Sequence, residues 1–196
     1  MLEMIQAWDT SLLFGIHEAL SGPLMDRFIL GVTAAANSAV LWGVLAALGL
    51  WSRKYRWAVL MAVVAAGLAL GFGDGMLKHL VERVRPCFQF PGVEMLVPYP
   101  KTTSYSFPSG HSISFFAAAT AFLLQSRDGL GKLFLAFAAL VAFSRVYLFM
   151  HFPGDVLAGA CLGMFWGVFV TVAAAHLEKK KFWNTIKVKF ENLPER

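Results

Sequence analysis

The residues in this chain best suited to chemistry fall into three polar clusters, each at the mouth of an apolar run. The last cluster runs from Ser144 and Arg145 through His151 to Asp155. Ionisable side chains at membrane depth are costly and face a protein interior or a watery cavity, which makes such a cluster a functional-site candidate. His151 and Asp155 are four apart, and Pro153 suits the first position of a helix. Asp155 is then expected in the first helical turn, with its carboxylate accepting a hydrogen bond from one imidazole nitrogen of His151. That contact would fix the tautomer and leave the other nitrogen as a nucleophile. Arg145, at the end of the preceding run, brings a planar, always charged fork to an oxyanion.

The second cluster is Pro108-Ser109-Gly110-His111. Ser109 reads as a helix N-cap, and Gly110 has no side chain to block approach to the backbone. The exposed N–H groups of such a helix start bind anions. His111, in the first turn, suits a general acid or base. The third cluster is Lys78 to Pro86. A helix continued through it would place Lys78 and Arg85 on one face before Pro86 stops it. Cations, backbone donors, two histidines and an aspartate together suit a phosphoryl group, with one histidine attacking and the other protonating the leaving oxygen. No Asp/Glu/His grouping has metal-ligand spacing, so no metal and no other cofactor is expected. Of the neighbours, Asp74 reads as an ion-pair partner of Lys78. Glu82 and Arg83 read as solvated, and His79 as solvated or packed. Lys101 to Tyr105 read as lining the entrance.

These clusters need elements to carry them, and the composition says which. The chain is 58% hydrophobic and 15% charged, against about 45–50% and about 25% for a soluble domain. The excess lies in long runs, the membrane signature. Phe28 to Leu50 carries no charge over 23 residues. Further spans are expected at Trp57–Leu77, Ser109–Leu124, Leu133–Phe149 and Pro153–Leu177. Residues 1–22 mix apolar side chains with Glu3, Asp9, His17 and Glu18. They read as an amphipathic helix in the membrane interface, with a poor sixth span as the alternative; no cleavable signal peptide is evident. His17 reads as an interfacial or packing histidine. The sequence therefore predicts an all-α integral membrane bundle of five or six helices in a single domain: the interfacial helix 1–22, a five-span core 28–177 and a basic tail 178–196. Trp51, Trp57 and Trp183 fit an aromatic belt or simple packing.

Orientation follows from the cations. Arg53, Lys54 and Arg56 crowd one short loop, Arg127 and Lys132 another, and the tail holds six Lys/Arg. With five spans these segments share one side, which the positive-inside rule makes cytoplasmic. The three polar clusters then face outward, to the periplasm or exterior of a bacterial inner or plasma membrane. Because the net charge of +5 sits in loops and tail, it argues against nucleic acid as a partner.

At these residues the chain resembles the type 2 phosphatidic acid phosphatase family, which also includes the vanadium haloperoxidases. The family pattern is a lysine, six residues and Arg-Pro; then Pro-Ser-Gly-His; then Ser-Arg, five residues, His, three residues and Asp. Lys78 with Arg85-Pro86, Pro108 to His111, and Ser144-Arg145 with His151 and Asp155 match it throughout. The resemblance implies that His151 forms a phosphohistidine, Asp155 orients it and His111 protonates the leaving group. It implies that Lys78, Arg85, Ser109, Gly110 and Arg145 hold the phosphate. It further implies a helical bundle and metal-independent hydrolysis of a lipid phosphate or diphosphate. The compact chain looks like the family's bacterial undecaprenyl diphosphate phosphatases. Phosphatidylglycerophosphate, phosphatidic acid and lipid A phosphates stand as alternatives, as does phosphotransfer to another lipid. A transporter would need a cationic path through the bilayer, whereas all the clusters lie at one mouth.

Overall fold

A computed structural model describes residues 2–126, 128–178 and 188. Arg127, Trp183 and, apart from 178 and 188, the expected basic tail lie outside the described residues. Within them every regular element is helical: α1 (Leu2–Leu20), α2 (Pro23–Asn37), α3 (Ala39–Trp51), α4 (Arg56–Phe72), a π turn (Gly73–Leu77), α5 (Lys78–Val81), α6 (Pro86–Gln89), α7 (Gly110–Ser126), α8 (Gly129–Tyr147) and α9 (Pro153–Glu178). The seven that run 13 residues or longer are more than the five or six expected.

The surplus comes from the first apolar run. It is not one helix: α2 and α3 meet at Ser38 with a bend of 59°. Ser38 has an extended backbone, and its Oγ accepts from Leu41 N–H at 3.2 Å, capping α3. The Ala35 carbonyl accepts from Ser38 N–H at 3.3 Å and from the Trp42 indole at 3.0 Å. A break inside a membrane helix persists where side chains satisfy the backbone in this way.

Among the described residues three helical stretches are long and apolar enough to cross a membrane, Arg56–Gln89, Gly129–Tyr147 and Pro153–Leu177, with the bent α2–α3 pair as a fourth. The run at 109–124 is helical, but the 17 residues of α7 rise about 26 Å. It sits in the middle, packed against α4, α8 and α9. Trp57, Met61, Ala65 and Ala69 of α4 recur every fourth residue and meet Ile113, Ala117 and Ala121 of α7 with Val170 and Ala174 of α9. Lipid tails are as apolar as these side chains, so close approach of small residues does the work. A Cβ on Gly163 of α9 would lie 2.4 Å from the Ile113 carbonyl oxygen. Trp57 is thus a core residue, whereas Trp51 is exposed.

The helix expected to carry both Lys78 and Arg85 on one face ends at Val81. Glu82 adopts the left-handed conformation (φ 49°), and Arg85 is extended before Pro86. The two cations reach the same cavity from separate backbone segments.

Candidate active site

Asp74, Lys78, Arg85, Gly110, His111, Ser114, Arg145 and His151 line one cavity of about 370 Å³, with Ala36, Leu70, Phe115 and Met150 as its apolar wall. All three polar clusters therefore converge. Lys78 pairs with Asp74 at 2.9 Å, as their spacing on the sequence suggested; the π turn carries Asp74 into the cavity just before it. Arg145 is 3% exposed. Its Nη2 donates to Thr33 Oγ1 at 2.7 Å and to Ser144 Oγ at 3.0 Å, and its Nε donates to the same Ser144 hydroxyl. Arg85 is locked by Ser104, Nε donating to its carbonyl and Nη2 to its hydroxyl, at 2.8 and 2.9 Å. These hydroxyls and carbonyls aim two guanidinium forks without neutralising them, so the positive charge stays available to an anion.

His151 is 3% exposed. Its Nδ1 lies 2.7 Å from the Ser106 carbonyl oxygen, and its Nε2 lies 3.0 Å from Arg85 Nη1. A carbonyl only accepts and a guanidinium only donates, so both contacts select the tautomer with the proton on Nδ1. Nε2 then carries the lone pair, which accepts from Arg85 and faces the cavity. The expected contact with Asp155 is corrected. Asp155 Oδ2 stands 3.9 Å from Nδ1, too far for a hydrogen bond, because the Ser106 backbone occupies that place. Burial, with the Arg85 and Lys78 charges adding and Asp155 opposing, lowers the His151 pKa to about 4. The imidazole is therefore neutral and nucleophilic at pH 7.

Asp155 is fully buried at the start of α9. Oδ2 accepts from Ser106 Oγ at 2.5 Å and from Phe152 N–H at 2.9 Å, and Oδ1 accepts from Arg83 Nη1 at 2.6 Å. It therefore holds the turn that carries His151 and the serine that orients the ring. Arg83, expected to be solvated, is 17% exposed and ion-paired on both sides, to Asp155 and to Asp9 of α1.

Ser109 occupies the N-cap position of α7, its Oγ accepting from Ser112 N–H at 3.4 Å while its own N–H donates to the Asp155 carbonyl at 3.1 Å. A Cβ on Gly110 would sit 2.8 Å from Asp74 Oδ1, so Asp74 comes this close to the helix start only because residue 110 is glycine. The His111 Nε2 lies 2.7 Å from Asn37 Oδ1, and its ring stacks on Phe115. Asn37 ends α2 at the break, so the bend in the first apolar run delivers a residue to the site. Asn37-Ser38, a polar pair in the middle of that run, was the available signal. Ser106 and Thr33 were likewise missed, and Ser104, read as part of the entrance, instead holds Arg85. His79 packs edge-on against Tyr105 outside the cavity, and His17 packs on Phe149. Among the described residues no group of three or more His, Cys, Asp or Glu side chains is arranged to hold a metal ion.

A helical bundle with several membrane-span candidates brings a buried histidine up to three converging cations. The chain belongs to the PAP2 superfamily, which it matches over residues 55–178. It is 33% identical over 149 residues to an undecaprenyl-diphosphatase of Sulfolobus acidocaldarius, covering 68% of this chain and 70% of that protein. It is 31% identical over 181 residues to a lipid A 4'-phosphatase of Bacteroides thetaiotaomicron, covering 85% and 77%. The crystal structure of a transmembrane PAP2-type phosphatidylglycerolphosphate phosphatase from Bacillus subtilis superposes with a TM-score of 0.72 at 26% identity, covering 91% of this chain and 89% of that one. The chain is a multi-pass PAP2 membrane lipid phosphatase.

Proposed function

We propose that the chain hydrolyses the terminal phosphate of a lipid diphosphate through a phosphohistidine on His151, with undecaprenyl diphosphate giving undecaprenyl phosphate and inorganic phosphate. The observation that carries the mechanism is the cavity itself, where a neutral His151 with Nε2 unprotonated meets Lys78, Arg85 and Arg145. The cations and the α7 N-terminus hold the equatorial oxygens of the terminal phosphate. Arg85 leaves Nε2 for a phosphate oxygen, and the Nε2 lone pair attacks phosphorus in line as the bridging P–O bond breaks. His111, protonated once the substrate's negative charge has entered the cavity, donates that proton to the departing lipid phosphate and returns to the neutral form. Water deprotonated by His111 then attacks phosphorus, the N–P bond breaks, and phosphate leaves with His151 regenerated. Asp155, through Ser106 and the Phe152 amide, keeps the ring in its tautomer. Ser109 and Gly110 form the helix start that faces the anion. No step in this scheme calls for a metal.

The similarity to an undecaprenyl-diphosphatase supports the isoprenoid substrate. The structural likeness to a phosphatidylglycerolphosphate phosphatase supports a glycerolipid phosphate as the second reading. The cation distribution supports a bacterial inner-membrane protein with this site facing the periplasm and the tail in the cytoplasm. The deciding experiment is phosphate release by purified protein, with chelator, from undecaprenyl diphosphate, phosphatidylglycerophosphate, phosphatidic acid and a lipid A phosphate. The expected result is fastest release from the isoprenoid diphosphate. Faster release from a glycerolipid would move the protein to phospholipid metabolism, and release from none would overturn the reading.

A further inference from the structure

The N-terminal helix holds the catalytic turn by a route that the family pattern does not include. Arg83 Nη1 donates to Asp155 Oδ1 at 2.6 Å, while its Nη2 donates to Asp9 Oδ2 at 2.7 Å and to Gln6 Oε1 at 2.6 Å. Its guanidinium lies 4.1 Å from the centre of the Phe152 ring. The carbonyl of Arg83 accepts from Ser106 N–H at 2.7 Å. Asp9 is itself buried, and its Oδ1 accepts from Gly154 N–H at 2.7 Å. A Cβ on Gly154 would lie 2.7 Å from Asp9 Oδ2, so the approach of α1 depends on that glycine. Arg83, Asp155 and Ser106 thus close a ring around the support of His151, and Asp9 clamps the ring to the 151–155 turn from outside.

We propose that Arg83 and Asp9 are positioning residues for phosphoryl transfer. Asp155 has no exposed surface, and His151 is neutral at rest. Arg83 therefore supplies the charge that keeps a buried carboxylate ionised in place. When His151 takes the phosphoryl group its ring becomes cationic. The Asp155 charge then stabilises that ring across the 3.9 Å gap and through Ser106. Without Arg83 the carboxylate either takes up a proton or turns away, and the support is lost at the step where charge develops. The phosphate cavity is lined by Lys78, Arg85 and Arg145 and not by Arg83 or Asp9. Substrate binding is therefore expected to survive while turnover falls.

This inference rests on His151 as nucleophile, and the test separates the two. Arg83→Met, Arg83→Lys, Asp9→Asn and His151→Ala are assayed beside wild type on whichever of the four lipid phosphates wild type hydrolyses fastest. Arg83→Met is expected to lose about tenfold to a hundredfold in kcat, the range of one charge-assisted hydrogen bond to a catalytic group, with KM nearly unchanged. Arg83→Lys should recover part of the loss. Guanidinium ion should restore part of the Arg83→Met activity, since Arg83 borders a cavity open on its outer side with Gln6, Thr10 and Gln89. Asp9→Asn, of equal size, should lower kcat several-fold and serves as the test if Arg83→Met does not purify. Full kcat in Arg83→Met or Asp9→Asn, or a loss confined to KM, would overturn the proposal, as would a kcat loss that neither lysine nor guanidinium recovers. Full turnover by His151→Ala would instead overturn the nucleophile assignment.

Discussion

The two ends of the bundle hold their charges differently. At the site end, Arg83 and Asp155 pair at 2.6 Å with side chains 17% and 0% exposed. At the other end, between α3 and α4 on one side and α7 and α8 on the other, Lys54 pairs with Asp128 at 3.0 Å with side chains 63% and 24% exposed. Tyr55 donates to the same carboxylate, and hydrogen bonding to Lys54 and Tyr55 holds its pKa down at about 2. The geometry of the two pairs is similar, yet solvent screens the second and leaves such pairs little net effect. Arg83 stands between Asp9 of α1 and Asp155 of α9, and losing it leaves two buried carboxylates without their cation. A short distance between opposite charges therefore says little until burial is counted.

Substitutions at the two ends should separate accordingly. Arg145→Lys keeps the charge but not the fork that Thr33 and Ser144 aim, so kcat should fall on the order of a hundredfold in the phosphate-release assay. Thr33→Ala removes one hydroxyl from the same guanidinium and should cost about tenfold or less. Lys54→Met breaks the exposed pair and should leave turnover unchanged, with little shift in the unfolding temperature in detergent. A Lys54→Met effect as large as that of Arg145→Lys would break the contrast.

The same contrast explains what the sequence could show. Lys78, Arg85, Ser109, Gly110, His111, Arg145, His151 and Asp155 were legible because each sits in a short run of fixed spacing beside an apolar helix. Arg83 was not, since its partners lie 72 and 74 residues away in the chain. Asn37 meets His111 across 74 residues, and Asp9 meets Gly154 across 145. The helix bend at Ser38 escaped a reading based on hydrophobicity alone, because an uncharged break is as apolar on average as a straight span. For His151 the spacing predicted that one imidazole nitrogen is fixed, without saying which, and gave Asp155 as its partner. A four-residue spacing permits a His–Asp contact, and only tertiary packing shows that a carbonyl from residue 106 takes its place.

The proposed mechanism turns on His151 Nε2 carrying the phosphoryl group. The direct test is rapid quenching during turnover into alkaline, phosphohistidine-preserving conditions, followed by mass spectrometry of the peptide around residue 151. A transient phosphate is expected on His151, with none on His111 and none in His151→Ala. Turnover without a phosphoenzyme, or a phosphate found on His111, would contradict it.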